Sequence, residues 1–565
     1  MNVFTKNLVI ILFVLLSFNN AYSKAVSKKI NKDEISSYLS GIHSHKNNDF
    51  ENSYKFFRKL SDKEIFNKEI SKKYIRTLIN LEKYHEAYLI SKRLNKQNNS
   101  SFESKILISI FEIKRGKDSK IIRSKLSKEN LELSSLEAYV LDTTLFWSDV
   151  ENYKLPNALK QLNKLNKNYK NITQIQKTFL NCYLLSENKN ASFINLIKNS
   201  SIDMTRYNYF YATTLSDSDK VWKKDILKKA LKDKPRNLIL NQYLQDLEKK
   251  KINKNNFFSC KDKNHILAEI FYVVANALSS QNIYSLSNYY LNISKFLNPN
   301  FKSYDTLVAE NNYFLGNLDK TIKIYKSLKE IGSVYHWHAA KQISNILIQQ
   351  EKKKDAFALI EKKFQNLKNP NIYQVFDYAE FLKRNEKFNE SIRFYSEVLN
   401  KINLDHNLFA KATDGRGVSY ERIGKWKLAE KDLLQSLEKD PNQAYVLNYL
   451  AYSWIEQGIK LEKSIDMLNK ANNLKKNDGY IIDSLGWAYF KMGNYKISRD
   501  YLQLAITLMP TDPTVNDHYG DCLWMLGKQI QARYYWKYVL NLKDVEPELK
   551  DEIKKKLIFG IKIKA

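Results

Sequence analysis

Cysteine is scarce in this chain. Three residues (Cys182, Cys260 and Cys522) among 565 are too few for a disulfide framework, and the odd number leaves at least one thiol unpaired within the chain. Cys182 with Cys260 is the one pair worth testing, while the first reading of all three is as small core residues. Glycine (14) and proline (8) are also sparse, which together with 43% apolar residues fits an all-helical chain. Beyond the first residues no stretch of 18 or more apolar residues occurs, which excludes a later spanning helix, so the mature chain is expected to be soluble. The motifs of catalysis are missing too: no Gly-rich phosphate loop, no Gly-x-Ser-x-Gly elbow, no His-Glu-x-x-His and no Cys-x-x-Cys. No enzyme activity, catalytic residue, cofactor or metal is therefore expected.

Histidine is the last scarcity, with eight residues. His336 and His338 flank Trp337, and on a helix their imidazoles point about 200° apart, too far to share a metal. Asp517 and Asp521 stand one turn apart beside His518. A metal needs three or four converging ligands, so a structural or peptide-contacting role is the better reading there.

One charge sign dominates. Lys and Arg number 92 against 61 Asp and Glu, a formal charge of +31. The excess is mostly lysine in a chain also rich in Asn, Ile and Tyr, the composition that an AT-rich genome gives regardless of function. A solvated lysine surface is the expectation, with no nucleic-acid partner. Weak association with anionic envelope surfaces is the role that the charge leaves open, and it should weaken with salt.

The N-terminus reads as an export signal over residues 1–23. Lys6 supplies the positive charge, Leu8 to Phe18 the apolar run, and Ala21-Tyr22-Ser23 the small-x-small cleavage site. Eleven helical residues rise only about 16 Å against a hydrocarbon core of about 30 Å, which favours cleavage over anchoring. No cysteine lies near the cut, so a lipid anchor of the usual kind is not expected. The mature chain is expected in the periplasm.

What the chain has in abundance is repetition. Gly417, Ala451, Gly486 and Gly520 occupy one slot at steps of 34, 35 and 34 residues. The clearest copies are Gly417-x2-Tyr420-x3-Gly424-x-Trp426-x2-Ala429-x3-Leu433-x2-Ser436-x4-Pro441 and Gly486-x2-Tyr489-x3-Gly493-x-Tyr495-x2-Ser498-x3-Leu502-x2-Ala505-x4-Pro510. Small residues at the first and third marks, among them Gly417, Ala429, Gly486, Ser498, Gly520 and Ala532, let two helices approach, while Tyr, Trp and Leu fill the seam. Gly424 and Gly493 fall where the first helix ends, and Pro441 and Pro510 stop the second. This pattern resembles the tetratricopeptide repeat, and the resemblance implies an all-α, right-handed α-solenoid of helix hairpins, each unable to bury its apolar face alone.

Elsewhere the beat varies. Residues 24–130 are expected to hold three such repeats, the third announced by Gly116, 34 residues after Glu82. Residues 24–33 should fray. Residues 131–247 keep helical spacing of apolar residues but lose the small marks, so degenerate helix pairs are expected. The polar run 248–265 reads as a linker and the best domain boundary. About eight repeats should follow over 266–545, with Ala275, Ala309, Ser344 and Ala379 in the small slot of the first helix, and a bend is expected around 401–407. Residues 546–565 read as a capping helix with Leu549, Ile553 and Leu557 on one side.

In the tetratricopeptide family the concave surface is lined by first-helix residues three before and one after the small mark. On this chain the earlier slot holds Asp414, Asn448, Asp483 and Asp517; the later slot holds Val418, Tyr452, Trp487 and Asp521, with Trp524 a turn beyond. A polar ladder flanked by aromatics is expected to form a groove for an extended polypeptide, with Asn448 bridging its main chain and Asp483 and Asp517 accepting amide or lysine donors. The competing reading is that these side chains brace neighbouring helices. The ladder is acidic, unlike the basic clamp that some family members use for C-terminal carboxylates.

The runs 447–454, 478–489 and 516–521 are further similar to a group of exported proteobacterial tetratricopeptide proteins. Some of that group are outer-membrane lipoproteins that hold a C-terminal processing protease and its substrates. The resemblance implies a scaffold or adaptor with protein partners, serving an envelope protease or, alternatively, enzymes of peptidoglycan or secreted polysaccharide.

Overall fold

The computed structural model describes residues 32–561 except 66, 118–121, 123–131, 201, 251–252, 368 and 544. The export signal and most of the second helix expected after Gly116 lie outside the described residues. Among those described there is no β-strand, only one isolated antiparallel bridge between Asn256 and Phe301. The chain is an all-α solenoid of helix hairpins, and its contacts divide it into two units that meet at residues 363 and 364.

Unit 1 begins with α1 (Lys32–Lys46), α2 (Phe50–Phe57), α3 (Asp62–Ile65), α4 (Lys68–Asn80), α5 (Tyr84–Lys96) and α6 (Phe102–Lys114). The turn after α4 places Glu82 at φ +59° and the turn after α6 places Gly116 at φ +66°, so the 34-residue step repeats a backbone conformation even where glycine is absent. The degenerate stretch folds as α7 (Ser135–Ser148), α8 (Leu155–Asn163), α9 (Lys170–Tyr183), α10 (Lys189–Asn199), α11 (Tyr207–Thr214), α12 (Lys220–Asp233) and α13 (Leu238–Glu248). Large rings replace the small marks here: Trp147, Phe179, Phe193 and Phe210 are fully buried.

The stretch 248–265 packs inside unit 1 instead of separating two domains. Phe258 is buried, Asn256 Oδ1 accepts from Ser303 Oγ at 2.7 Å, and Tyr209 Oη donates to the Asn256 carbonyl. Cys260 is disulfide-bonded to Cys182 with the two Cα atoms 5.9 Å apart, so two of the three buried cysteines are paired and Cys522 alone is free. A polar sequence concealed this packing because asparagine and tyrosine satisfy one another's hydrogen bonds in the interior. Unit 1 continues with α14 (Lys263–Ser280), α15 (Tyr284–Leu297), α16 (Tyr304–Phe314), α17 (Leu318–Ser327) and α18 (Ser333–Gln349); α19 (Lys353–Gln365) runs across the division.

Unit 2 pairs α20 (Ile372–Arg384) with α21 (Phe388–Asn400), α22 (Phe409–Arg422) with α23 (Trp426–Lys439), α24 (Ala444–Glu456) with α25 (Leu461–Leu474), α26 (Gly479–Lys491) with α27 (Tyr495–Leu508), and α28 (Pro513–Met525) with α29 (Gln529–Leu540); α30 (Pro547–Phe559) follows. The small marks work by sterics. A Cβ on Gly486 would stand 2.6 Å from Leu502 Cγ, and one on Gly520 2.6 Å from Trp536 Nε1. Their partners Ala429, Ser498 and Ala532 are fully buried, as is Ala451. Gly424 closes α22 at φ +75°, and the Lys425 amide returns to the Tyr420 carbonyl at 2.9 Å, the six-to-one bond of a Schellman end. Pro441 and Pro510 lie two residues past the ends of α23 and α27. On α30 Ile553 is fully buried and packs with Leu549 and Leu557 against Trp536, Cys522 and Val539.

Candidate functional site

The four slots three residues before the small marks lie on α22, α24, α26 and α28, and neighbouring first helices touch along α24, α26 and α28. The ladder divides into two halves of different character.

In the second half every carboxylate has an internal partner. Asp483 and His518 face each other, with Nδ1 3.0 Å from Oδ2 and both residues buried. Burial opposes a charge on this imidazole, yet Asp483, with Asp517 and Asp521 behind it, raises its pKa above the ordinary histidine value. Lys556 of α30 reaches in to Asp517 at 2.8 Å and Asp521 at 2.8 Å, and the Trp536 indole donates to the other oxygen of Asp521 at 2.9 Å. Burial pushes both carboxyls upward and Lys556 pulls them back, while the two acids hold the Lys556 pKa above its usual value despite burial. Three acids and two cations thus form one buried charge network.

The expected aromatic partners join it. The Trp487 ring stacks on His518 at 3.9 Å with 11° between planes and on Phe490 at 4.6 Å, and its indole donates to Glu456. Trp524 packs at 5.4 Å from Trp536 beneath the chain's own C-terminal turn, where a Cβ on Gly560 would strike the Trp524 ring at 2.0 Å. Asp483, Asp517, Asp521, Trp487 and Trp524 therefore brace helices, because each lies within reach of a neighbouring repeat or the cap.

The first half is different. Asn448 Oδ1 is buried and accepts no hydrogen bond from the described residues. Asp414 is partly buried and makes no hydrogen bond or ion pair with the described residues; burial, with Glu380 adding and Lys383 opposing, pushes its carboxyl up to about 6. Tyr452 is partly buried with its phenol pKa raised, first by burial and then by Glu456, Asp483 and Asp517. Two acceptors without donors among the described residues, one repeat apart and flanked by a tyrosine, can hold amide or ammonium donors from outside.

Sequence reasoning missed Lys556, Glu456 and Glu380. Lys556 had a signal: it lies three residues after Ile553, on the stripe of α30 that the apolar residues mark as buried. The histidine pair His336 and His338 sits on α18, and among the described residues no three or more His, Cys, Asp or Glu side chains are placed to hold a metal ion together. No described helix is long and apolar enough to cross a membrane.

No protein-family model matches the chain. It is 27% identical over 143 residues to the TPR repeat-containing protein PA4667 of Pseudomonas aeruginosa, covering 25% of this chain and 23% of that protein. It is 33% identical over 90 residues to a lipoprotein NlpI homolog of Haemophilus influenzae, covering 16% and 28%. The matching stretches thus span about a quarter of these relatives. Among solved structures, a thermophilic TPR protein of Thermus thermophilus (13% identity, 34% of this chain, all of that one) and MamA of Desulfovibrio magneticus (15%, 31% and 97%) overlap at TM-scores of 0.29 and 0.28. At that overlap the fold assignment rests on the repeat geometry of the chain itself. Period, hairpin packing and the stretches shared with curated relatives make this a tetratricopeptide-repeat-like α-solenoid.

Proposed function

We propose that this chain is a non-enzymatic scaffold or adaptor of the periplasm, and that it takes an extended segment of a protein partner along the first-helix face of unit 2, entering at Asp414 and Asn448. The observation that carries this reading is the pair itself: the neighbouring carboxylates are all satisfied internally, while among the described residues the buried Asn448 Oδ1 and the partly buried Asp414 carboxyl find no donor. A segment that supplies a main-chain amide to Asn448 and an amide or lysine to Asp414 removes both deficits. Export is supported by the signal-like first 23 residues and by the Cys182–Cys260 disulfide, a bond that persists in oxidising compartments.

The likeness to exported adaptors favours an envelope protease and its substrates as the partner. The +31 charge favours a second reading, a scaffold for enzymes of peptidoglycan or secreted polysaccharide held near anionic surfaces. Cross-linked pull-downs from envelope fractions test the proposal with intact chain and an Asp414→Ala/Asn448→Ala variant of equal melting temperature. Loss of the recovered proteins from the variant supports it, and recovery of the same set would sink it. Partners released by moderate salt point to the second reading.

A further inference from the structure

Unit 1 carries a polar cleft of another kind. The N-terminal hairpins fold back onto α15 and α16: Tyr84 Oη donates to the Asn292 carbonyl at 3.0 Å, and Lys295 reaches Glu82 at 2.7 Å and Asp305 at 2.9 Å. Between the turns that end α1 and α4 and the face of α15 to α17 lies an opening of roughly 990 Å³.

Its floor is made of carboxamides. Asn80, Asn288, Asn292 and Asn312 line it and are 6, 4, 4 and 2% exposed. Asn80 is used at both ends, its Nδ2 donating to the Arg76 carbonyl at 2.9 Å, and the other three are used in part. Asn288 Oδ1 accepts from Asn311 at 3.0 Å, Asn312 Nδ2 donates to the Val308 carbonyl at 2.7 Å, and Asn292 Nδ2 makes a 3.5 Å contact with Asn80 Oδ1. The opposite ends, Asn288 Nδ2, Asn312 Oδ1 and Asn292 Oδ1, take no partner among the described residues. Buried carboxamides left half-satisfied around an open space are a standing demand for donors and acceptors together.

We propose that this cleft binds an extended polypeptide through its main chain. The groups that the floor itself offers are neutral carboxamides, and Lys295 beside them is paired with Glu82 and Asp305. The free ends match what a main chain offers: Asn288 Nδ2 can donate to a peptide carbonyl, and Asn292 Oδ1 and Asn312 Oδ1 can accept from peptide amides. Asn288 and Asn292 stand one helical turn apart, about 6 Å of rise, close to the roughly 6.6 Å at which an extended chain presents the same edge again. A saccharide is the poorer fit, since Phe50, the aromatic residue lining the cleft, is 7% exposed and offers no ring face. The site uses none of the residues of the proposed groove in unit 2.

Saturation-transfer NMR with the full chain tests this. The probe is a blocked octapeptide of alternating serine and valine, with two comparison ligands: the same peptide N-methylated at alternate amides, and maltotetraose. Transfer to the plain peptide is expected, at least fivefold weaker for the N-methylated form and in an Asn292→Ala/Asn312→Ala variant, and unchanged in Ile497→Ala, an exposed position outside both sites. If the double variant fails to fold, Asn292→Ala alone is read, because it gives up only the 3.5 Å contact. No transfer to the peptide, equal transfer to the N-methylated peptide, retention in the asparagine variants, or transfer to maltotetraose alone would each overturn the proposal.

Discussion

Lys556 Nζ lies 2.8 Å from Asp517 Oδ2, joining the cap helix α30 to the first helix of the last repeat across 39 residues of sequence. With Asp521 at the same distance, this one cation offsets part of the burial that raises both carboxyl pKa values.

Removing that cation should be costly. Lys556→Met leaves two buried acids without their counter-charge, and such losses run about 3–5 kcal/mol. Lys554, two residues away and exposed, pairs only with exposed Asp551, and Lys554→Met should change stability by less than about 1 kcal/mol. Amide hydrogen exchange over residues 513–559 measures both locally. Equal protection in the two variants would remove the network from the account.

His518 makes a pH signature. Its folded pKa is raised above 6.5, so the stabilisation from its charge is fully present below about 6.5 and is lost as pH rises through the higher folded value. The stability difference between the native chain and His518→Gln should be flat at acid pH and shrink above neutrality. A difference that grows with pH contradicts the assignment. Asp414 has a consequence of the same sign at lower pH. A carboxyl raised to about 6 favours the folded state while protonated and weakens it as pH climbs from about 4 to 6, so Asp414→Asn should stabilise the chain at pH 7.5 relative to native and lose that advantage below pH 4.

The small marks make a steric prediction. Gly486→Ala sets a methyl 2.6 Å from Leu502 Cγ and should cost about 1–3 kcal/mol by overpacking. Chemical denaturation of unit 2 reads it, and pairing the change with Leu502→Ala should recover part of the loss. Failure of the second substitution to restore anything would mean the seam is set elsewhere.

Those marks also explain what could be read from the chain alone. Gly417, Gly486 and Gly520 are imposed by helix approach within one hairpin, a local constraint that recurs every 34 or 35 residues and so is visible in sequence. The ladder was legible as a row but not in its partners. His518 meets Asp483 and Lys556 meets Asp517 across one repeat or the cap, where no local pattern records the pairing. The segment 248–265 was misleading for a related reason. Its asparagines looked like linker, yet Asn253 and Asn256 bond to Ile331, Ser303 and Tyr209, which come from 47 to 78 residues away. Cys182 and Cys260, 78 residues apart, were identifiable as a candidate pair and no more.

That disulfide should matter to unit 1 alone. Cross-linking a loop of this length removes conformational freedom from the unfolded chain, typically about 2–5 kcal/mol, so reduction or Cys182→Ser/Cys260→Ser should lower the melting temperature of unit 1. Cys522 is buried with its thiol pKa raised by burial, and should resist a thiol reagent until unit 2 unfolds. Rapid labelling of Cys522 in the native chain would contradict its placement.

The most direct test of the central claim is photo-cross-linking inside the native envelope, with the reactive side chain at Val418, one turn past Asp414 on α22, or at Ile497, which is 46% exposed on α27. The expected result is a protein adduct at position 418, absent from position 497 and lost on Asn448→Ala. Adducts of equal yield at both positions, or an adduct at 418 that survives Asn448→Ala, would contradict the claim that this face of unit 2 receives the partner.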